Sequence, residues 1–374
     1  MNNLLSASFA SVMQYIGYVL IAILVLLVMI TVHEFGHYLA GKALGFGVEE
    51  FAIGFGPKLF SKKKKDGEVF SVRLLPVGGF CAFLGEGEET GNPKAFNNKK
   101  PWQRIIVLVA GALMNYILAL ALIFLMFGVY GQPALVTCYL DEDTEYSSEY
   151  SFQTNDVILS ANGKDVFIVS DLMNAVQDKS RGDLVGFTVL RGGKAVNVNI
   201  MLRADTSFEN LEDYKLLYSS LGISYETDAS TGEMTNGGLY STSVKLGFFQ
   251  TIGHGVEYSF KLAGTIFTVI GQLLTGRLGI SSLGGTVTTI SVTASAISIG
   301  GFRYLLNIAS LIGVNLAVFN LLPIPALDGA HVVFTVIEWI RKKPVNRKVE
   351  AVIHAIGLAA ILIFAVFIDL QQCF

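Results

Sequence analysis

The sequence predicts a polytopic α-helical membrane protein: four transmembrane helices, a cytoplasmic β-hairpin, and an extracytoplasmic α/β domain. Three observations carry this expectation. Four apolar runs, roughly 13–40, 104–130, 302–322 and 349–369, are long enough at ~1.5 Å per residue to cross a ~30 Å hydrocarbon core. Hydrophobic residues make up 52% of the chain and charged residues 15%, a balance far from that of a soluble domain. Basic residues are also distributed unequally. Residues 41–104 hold eleven, including the run Lys62 to Lys65, whereas residues 131–245 hold eight against seventeen acidic ones. The positive-inside bias therefore puts 41–104 and 341–348 in the cytoplasm, with both termini and the long middle segment outside.

Taken in order, the N-terminus lacks the basic region and cleavage site of a secretory signal, so the first apolar stretch is expected to stay as a span. From Tyr15 to Ile30 it carries no charge, and it then presents His33-Glu34-Phe35-Gly36-His37. Residues four apart share a helix face, so His33 and His37 can bind one metal ion. Glu34, one position further round, is placed to take a proton from a metal-bound water. The same pattern occurs by chance in soluble helices, and histidines in spans also hydrogen-bond neighbouring helices. Ionisable groups at membrane depth cost ~2.5 to 3.5 kcal/mol or more each, which favours a functional reason for three of them together.

Residues 48–84 alternate apolar and polar around the turn signal Asp66-Gly67, and Val69 to Leu74 is the clearest strand. After the second span, residues 132–204 read as a separate α/β domain. Asn155 to Val166 is a strand ending in an Asn-Gly turn, Val169–Lys179 a short helix, and 184–191 and 194–202 two further strands. Residues 205–245 are polar and Gly/Ser/Thr-rich, a linker or extension. Residues 246–300 contain an amphipathic segment suited to the membrane surface. The last two spans fall within 301–374, as the first two fall within 1–130.

A catalytic zinc takes three protein ligands and keeps one open position. The candidate third ligand is Asp328, in Asn320-Leu321-Leu322-Pro323-Ile324-Pro325-Ala326-Leu327-Asp328-Gly329. Two prolines break an apolar helix here, and broken helix at membrane depth is tolerated only inside protein or beside a wet cavity. An ordinary helix end leaving the membrane would read similarly. Cys81, Cys138 and Cys373 show no zinc or redox spacing, and the net charge of −3 gives no reason to expect nucleic acid.

Together the two motifs make the chain resemble the site-2 protease family of intramembrane zinc metalloproteases, in particular its bacterial regulator-of-sigma-E protease branch. The likeness includes Gly111-Ala112-Leu113-Met114-Asn115, similar to the family's GxxxN pattern, and Pro76 to Phe80, which resembles its membrane-associated hairpin. Asn155 to Val166 resembles the core of a PDZ domain. The resemblance implies Zn2+ held by His33, His37 and Asp328, with Glu34 as the catalytic base. It further implies that Asn115, Asn315 and Asn320 bind substrate or stabilise its oxyanion. The chain departs from the family at Ala330, where a second glycine is usual; His331, which follows, is expected beside the ligands or facing solvent, and not among the ligands. The implied activity is cleavage of transmembrane segments of single-span membrane proteins in the bacterial inner membrane, for instance an anti-sigma factor or a remnant signal peptide. The active site would lie toward the cytoplasm and the PDZ domain outside. A membrane scaffold that binds partners through the PDZ region is the alternative from another class. Another kind of membrane zinc metalloprotease, with a different third ligand, is the nearer one.

Overall fold

The computed structural model describes residues 2–86, 90–141, 150–208, 213–227, 234–276, 279 and 284–371. The chain forms two compact units. One gathers Met1–Ile123, Ser259–Gly271 and Gly279–Phe374; the other gathers Phe124–Tyr258 and Gln272–Leu278.

Among the described residues, four helices are long and apolar enough to span a membrane. Helix α1 (Asn2–Ala43) ends with Lys42 in its last turn, where a cation suits the helix dipole. Helix α2 (Pro101–Tyr130) begins on a proline, whose missing N–H costs nothing at a first helical position. Between them run β1 (Val48–Lys63) and β2 (Val69–Phe83), joined through Asp66 and Gly67. These strands do not form a simple ladder. Phe51 lies opposite both Cys81 and Phe70, and Ala52 opposite both Phe80 and Ser71. Such double pairing needs sharp bends, which Gly54 (φ 84°), Gly56 (φ 86°) and Gly78 (φ 95°) supply. Phe83 packs with Phe46, Phe96, Val107 and Leu108, joining the hairpin to the ends of α1 and α2.

Among the described residues, the second unit holds a six-stranded sheet with two short helices: β3 (Gln132–Thr137), β4 (Val157–Ala161), β5 (Lys164–Asp165), α3 (Val169–Val176), β6 (Leu184–Arg191), β7 (Lys194–Met201), α4 (Tyr214–Leu221) and β10 (Leu239–Val244). A small separate pair, β8 (Tyr225–Thr227) and β9 (Met234–Gly237), lies between α4 and β10. The sheet order is β10-β3-β4-β6-β7, with β5 folding back on β4. That return turns on Asn162 (φ 49°) and Gly163 (φ 76°), the positive pair that a two-residue hairpin requires. Ile158, Leu172, Val176, Val185, Val189 and Ile200 form the core. Residues expected to be a linker contribute to it: Leu217, Leu221, Ile223 and Leu239 are buried there, and β10 pairs along the whole of β3. Their short apolar pattern is diluted by the polar residues around it.

Helix α5 (Phe248–Leu274) follows, then α6 (Thr286–Leu321), α7 (Asp328–Arg341) and α8 (Arg347–Gln371). Most of the described residues of the stretch 246–300 thus fall in α5 and the first part of α6, while 277, 278 and 280–283 lie outside the described residues. Gly301 (φ 58°, ψ −142°) interrupts α6 one residue before the expected start of the third span. Met29 on α1 packs with Ala309 and Ile312 on α6, and Leu118 of α2 joins them. Buried Arg104 on α2 pairs with Glu338 on α7, and Arg347 at the start of α8 reaches the same carboxylate at 3.0 Å. Among the described cysteines, Cys81 and Cys138 are free; Cys373 lies outside the described residues.

Candidate metal centre

Helix α1 supplies His33, Glu34 and His37 from one and a half turns, with both imidazoles buried (7% exposed each). Close approach of α2 makes room for them. A Cβ at Gly111 would overlap both rings, and one at Gly36 would overlap the Ala110 carbonyl, so two glycines let the helices meet at ring level. The His37 Nδ1–H donates to the Val107 carbonyl at 2.7 Å. That bond fixes the tautomer and leaves the Nε2 lone pair free to face inward.

The third group arrives from the far end of the chain. Leu322 closes α6, Pro323 and Pro325 prevent its continuation, and Ala326 takes a left-handed conformation (φ 83°). Asp328 then opens α7, where the helix N-terminus favours a carboxylate. A Cβ at Gly329 would run into the Leu321 and Leu322 carbonyls, so only glycine lets α7 start this close to the end of α6.

The donor atoms converge. His33 Nε2 lies 3.0 Å from His37 Nε2 and 3.0 Å from Asp328 Oδ2, and His37 Nε2 lies 3.4 Å from that oxygen. Tetrahedral ligands at ~2.0 to 2.2 Å from a zinc stand ~3.3 to 3.5 Å apart, close to the triangle these atoms already form. Two imidazole lone pairs and a carboxylate oxygen pointed at one another repel unless a cation lies between them. Asp328 Oδ2 is buried with no hydrogen-bond partner among the described residues, as a ligand oxygen would be. The donor set of two histidines and a carboxylate suits zinc.

Beside the triangle is a cavity of about 290 Å³, lined by His33, Glu34, Asp328, Asn115, Asn320 and Leu316 among others. Its free side could hold a water and an extended peptide. The Cys81 backbone N–H faces the Glu34 carboxylate, so β2 orients that side chain. Asn115 and Asn320 bring amide groups to 3.5 and 3.4 Å from His33 Nδ1. With His33 Nε2 given to a metal, its Nδ1 carries the proton, and one of these amides must offer its oxygen. Asn315 is not brought to the cavity wall; its Oδ1 is buried without a hydrogen-bond partner among the described residues.

Several contributors escaped sequence reasoning. The Val107 carbonyl has no signature, because every residue carries one. Gly111 was visible only as part of a spacing. His354 on α8 accepts a hydrogen bond from the Ala326 N–H, a partner that nothing in the sequence names.

The family model for peptidase family M50 matches residues 21–364. Two chains provisionally named as zinc metalloproteases, from Clostridium acetobutylicum and Clostridium perfringens, are each 30% identical over 356 residues. The alignments cover 95% of this chain and 96% and 98% of theirs. The zinc metalloprotease RasP of Bacillus licheniformis is 28% identical, across 94% of this chain and 98% of its own.

Proposed function

The chain belongs to peptidase family M50, the site-2 protease family, and from that membership we propose that it cuts transmembrane segments of single-span proteins within the bilayer. It is a membrane zinc metalloprotease. The observation that carries the finer reading is the triangle of His33 Nε2, His37 Nε2 and Asp328 Oδ2, 3.0 to 3.4 Å on a side, within a bundle of span-length helices.

His33, His37 and Asp328 would hold the zinc, and zinc bound there would lower the pKa of a water toward ~7 and polarise the scissile carbonyl. Glu34 takes the proton of the attacking water and delivers it to the leaving amine. The Val107 carbonyl holds His37 in the tautomer this arrangement needs. Asn115 and Asn320, at the cavity wall, can donate amide hydrogens to a substrate carbonyl or its oxyanion. A helical peptide bond is shielded by its own turns, so the substrate must unwind. The edge of the β1–β2 hairpin, which runs against α1 at Glu34, offers backbone partners to the unwound strand.

The relatives support a bacterial inner-membrane setting. The basic residues around the hairpin support a cytoplasmic position for it and for the adjacent site. The sheet domain is then extracytoplasmic. In this reading it is a PDZ domain that admits substrates already trimmed outside, such as an anti-sigma factor or a remnant signal peptide.

The test is a single-span reporter in membranes carrying either the parent or Glu34→Gln. The variant is expected to keep its zinc and lose cleavage by ~10²-fold or more. Asp328→Ala is expected to lose the zinc itself. Intact cleavage in the first, or full zinc occupancy in the second, contradicts the assignment.

A further inference from the structure

The turn that delivers Asp328 does not stand on its own. Ala326 is held at φ 83°, a conformation that residues with a Cβ adopt only when the surroundings impose it. Its backbone N–H donates to His354 Nδ1 on α8 at 3.0 Å. One turn along, a Cβ at Gly357 would overlap Pro325, so α8 lies directly against the same turn. The His354 ring is itself fixed from another side. It stacks on His331 of α7 with centroids 3.7 Å apart and planes 10° from parallel, and His331 Nδ1 meets Glu350 of α8 at 3.5 Å. A histidine in an apolar span needs a strong reason to be there, and a backbone donor unreachable by any apolar side chain is one.

His331, Glu350 and His354 also lie close enough to suggest a metal site of their own. The stacking argues against it. Imidazole lone pairs lie in the ring plane, and two nearly parallel rings 3.7 Å apart cannot both direct theirs at one ion.

We propose that His354 is a positioning residue for the third zinc ligand: its Nδ1 holds the Ala326 amide, and so the left-handed turn that aims Asp328 at His33 and His37. The proposal rests on the zinc assignment above. It predicts a residue that never touches metal or substrate and yet controls how tightly metal is kept, as groups that orient ligands do.

The experiment measures zinc retention by the full-length protein in detergent against a competing chelator. His354→Leu is expected to release zinc at ~10-fold lower chelator concentration or less, in the range found when ligand-orienting groups are removed. His354→Asn, whose Oδ1 can accept the same hydrogen, is expected to hold zinc as the parent does. Gly357→Ala presses on Pro325 without removing a polar group, and is expected to weaken zinc retention too. Parental affinity in folded His354→Leu overturns the proposal, as does an asparagine variant no better than the leucine one. If the leucine variant does not fold, a folded Gly357→Ala protein with parental affinity is decisive against it. A second zinc equivalent that disappears with His354 would make the cluster a site of its own and also overturn it. Asp328→Ala separates the two readings: zinc retained there removes the ligand assignment, whatever the His354 variants do.

Discussion

A methyl group at Gly111 would occupy the space of the His33 and His37 rings, whereas one at Gly128, on the same helix, would meet open space. Both substitutions raise helix propensity, so propensity cannot distinguish their effects. Gly111→Ala is expected to lower zinc occupancy at least ~10-fold, because the rings cannot withdraw without breaking the bond from His37 to Val107. Gly128→Ala is expected to match the parent. Metal analysis of the two purified proteins checks the pair, and equal zinc in both would show that the rings tolerate the shift. This contrast also shows what was readable residue by residue. His33, Glu34 and His37 were legible because helical spacing alone places them on neighbouring positions of one turn. Asp328 was legible because two prolines and a glycine announce a broken helix. Gly111 and His354 act through contacts with residues far away in the chain, and neither spacing nor composition encodes those contacts.

At the scale of elements, the β1–β2 hairpin is fastened to α1 by charge. Glu68 is nearly inaccessible and meets Lys42 at 2.8 Å and Lys64 at 2.7 Å. Burial alone would raise its pKa, but the two ammonium groups outweigh that and hold it below the ordinary glutamate value. Glu50 is lowered in the same way: burial opposes it, and Ser71, Arg73 and Lys58 prevail. A carboxylate with a depressed folded-state pKa contributes stability that is fully present above the unfolded value and disappears as pH falls through the folded one. Hairpin amides such as Lys64 N–H, bonded to the Glu68 carbonyl at 2.7 Å, are therefore expected to keep their exchange protection down to about pH 4 and lose it below. Hydrogen exchange, expressed as opening free energy, checks this. The Glu50→Gln, Glu68→Gln double variant should show no such acid step, and an unchanged step there would place its origin elsewhere. The hairpin itself was legible from alternation and its Asp-Gly turn. Its double register was not, since a period of two tells which face a residue takes and not which strand it pairs with. The break in α6 at Gly301 was likewise hidden, because one glycine in an apolar run is compatible with an unbroken helix.

At the scale of the whole molecule, the sheet domain reads as an insertion into a helical membrane protein, and its boundaries decide how it can be removed. Composition placed its end near 204, because the residues that follow are polar and rich in glycine, serine and threonine. Packing places the end near 244. The first residue of β3, Gln132, pairs with the last residue of β10, Val244, so the chain enters and leaves the sheet side by side. Excising 132–204 would strip Leu217, Leu221, Ile223 and Leu239 of the core that buries them and leave β10 without β3. Exposed apolar side chains and an unpaired strand of this kind favour aggregation. That deletion is expected to accumulate poorly in membranes. Excising 132–244 across a short Gly-Ser linker removes the whole fold, and the two chain ends need span only the separation of adjacent strands, ~5 Å. The longer deletion is therefore expected to accumulate, to bind zinc like the parent, and to retain cleavage of a trimmed single-span reporter. If the domain excludes substrates by size, the longer deletion should also cut the untrimmed reporter, which the parent leaves intact. Membrane abundance, zinc content and the two cleavage assays, run on both deletions, check each step. Equal accumulation of the two would refute the packing boundary, and untrimmed reporter left uncut by a zinc-loaded, otherwise active core would refute the size filter.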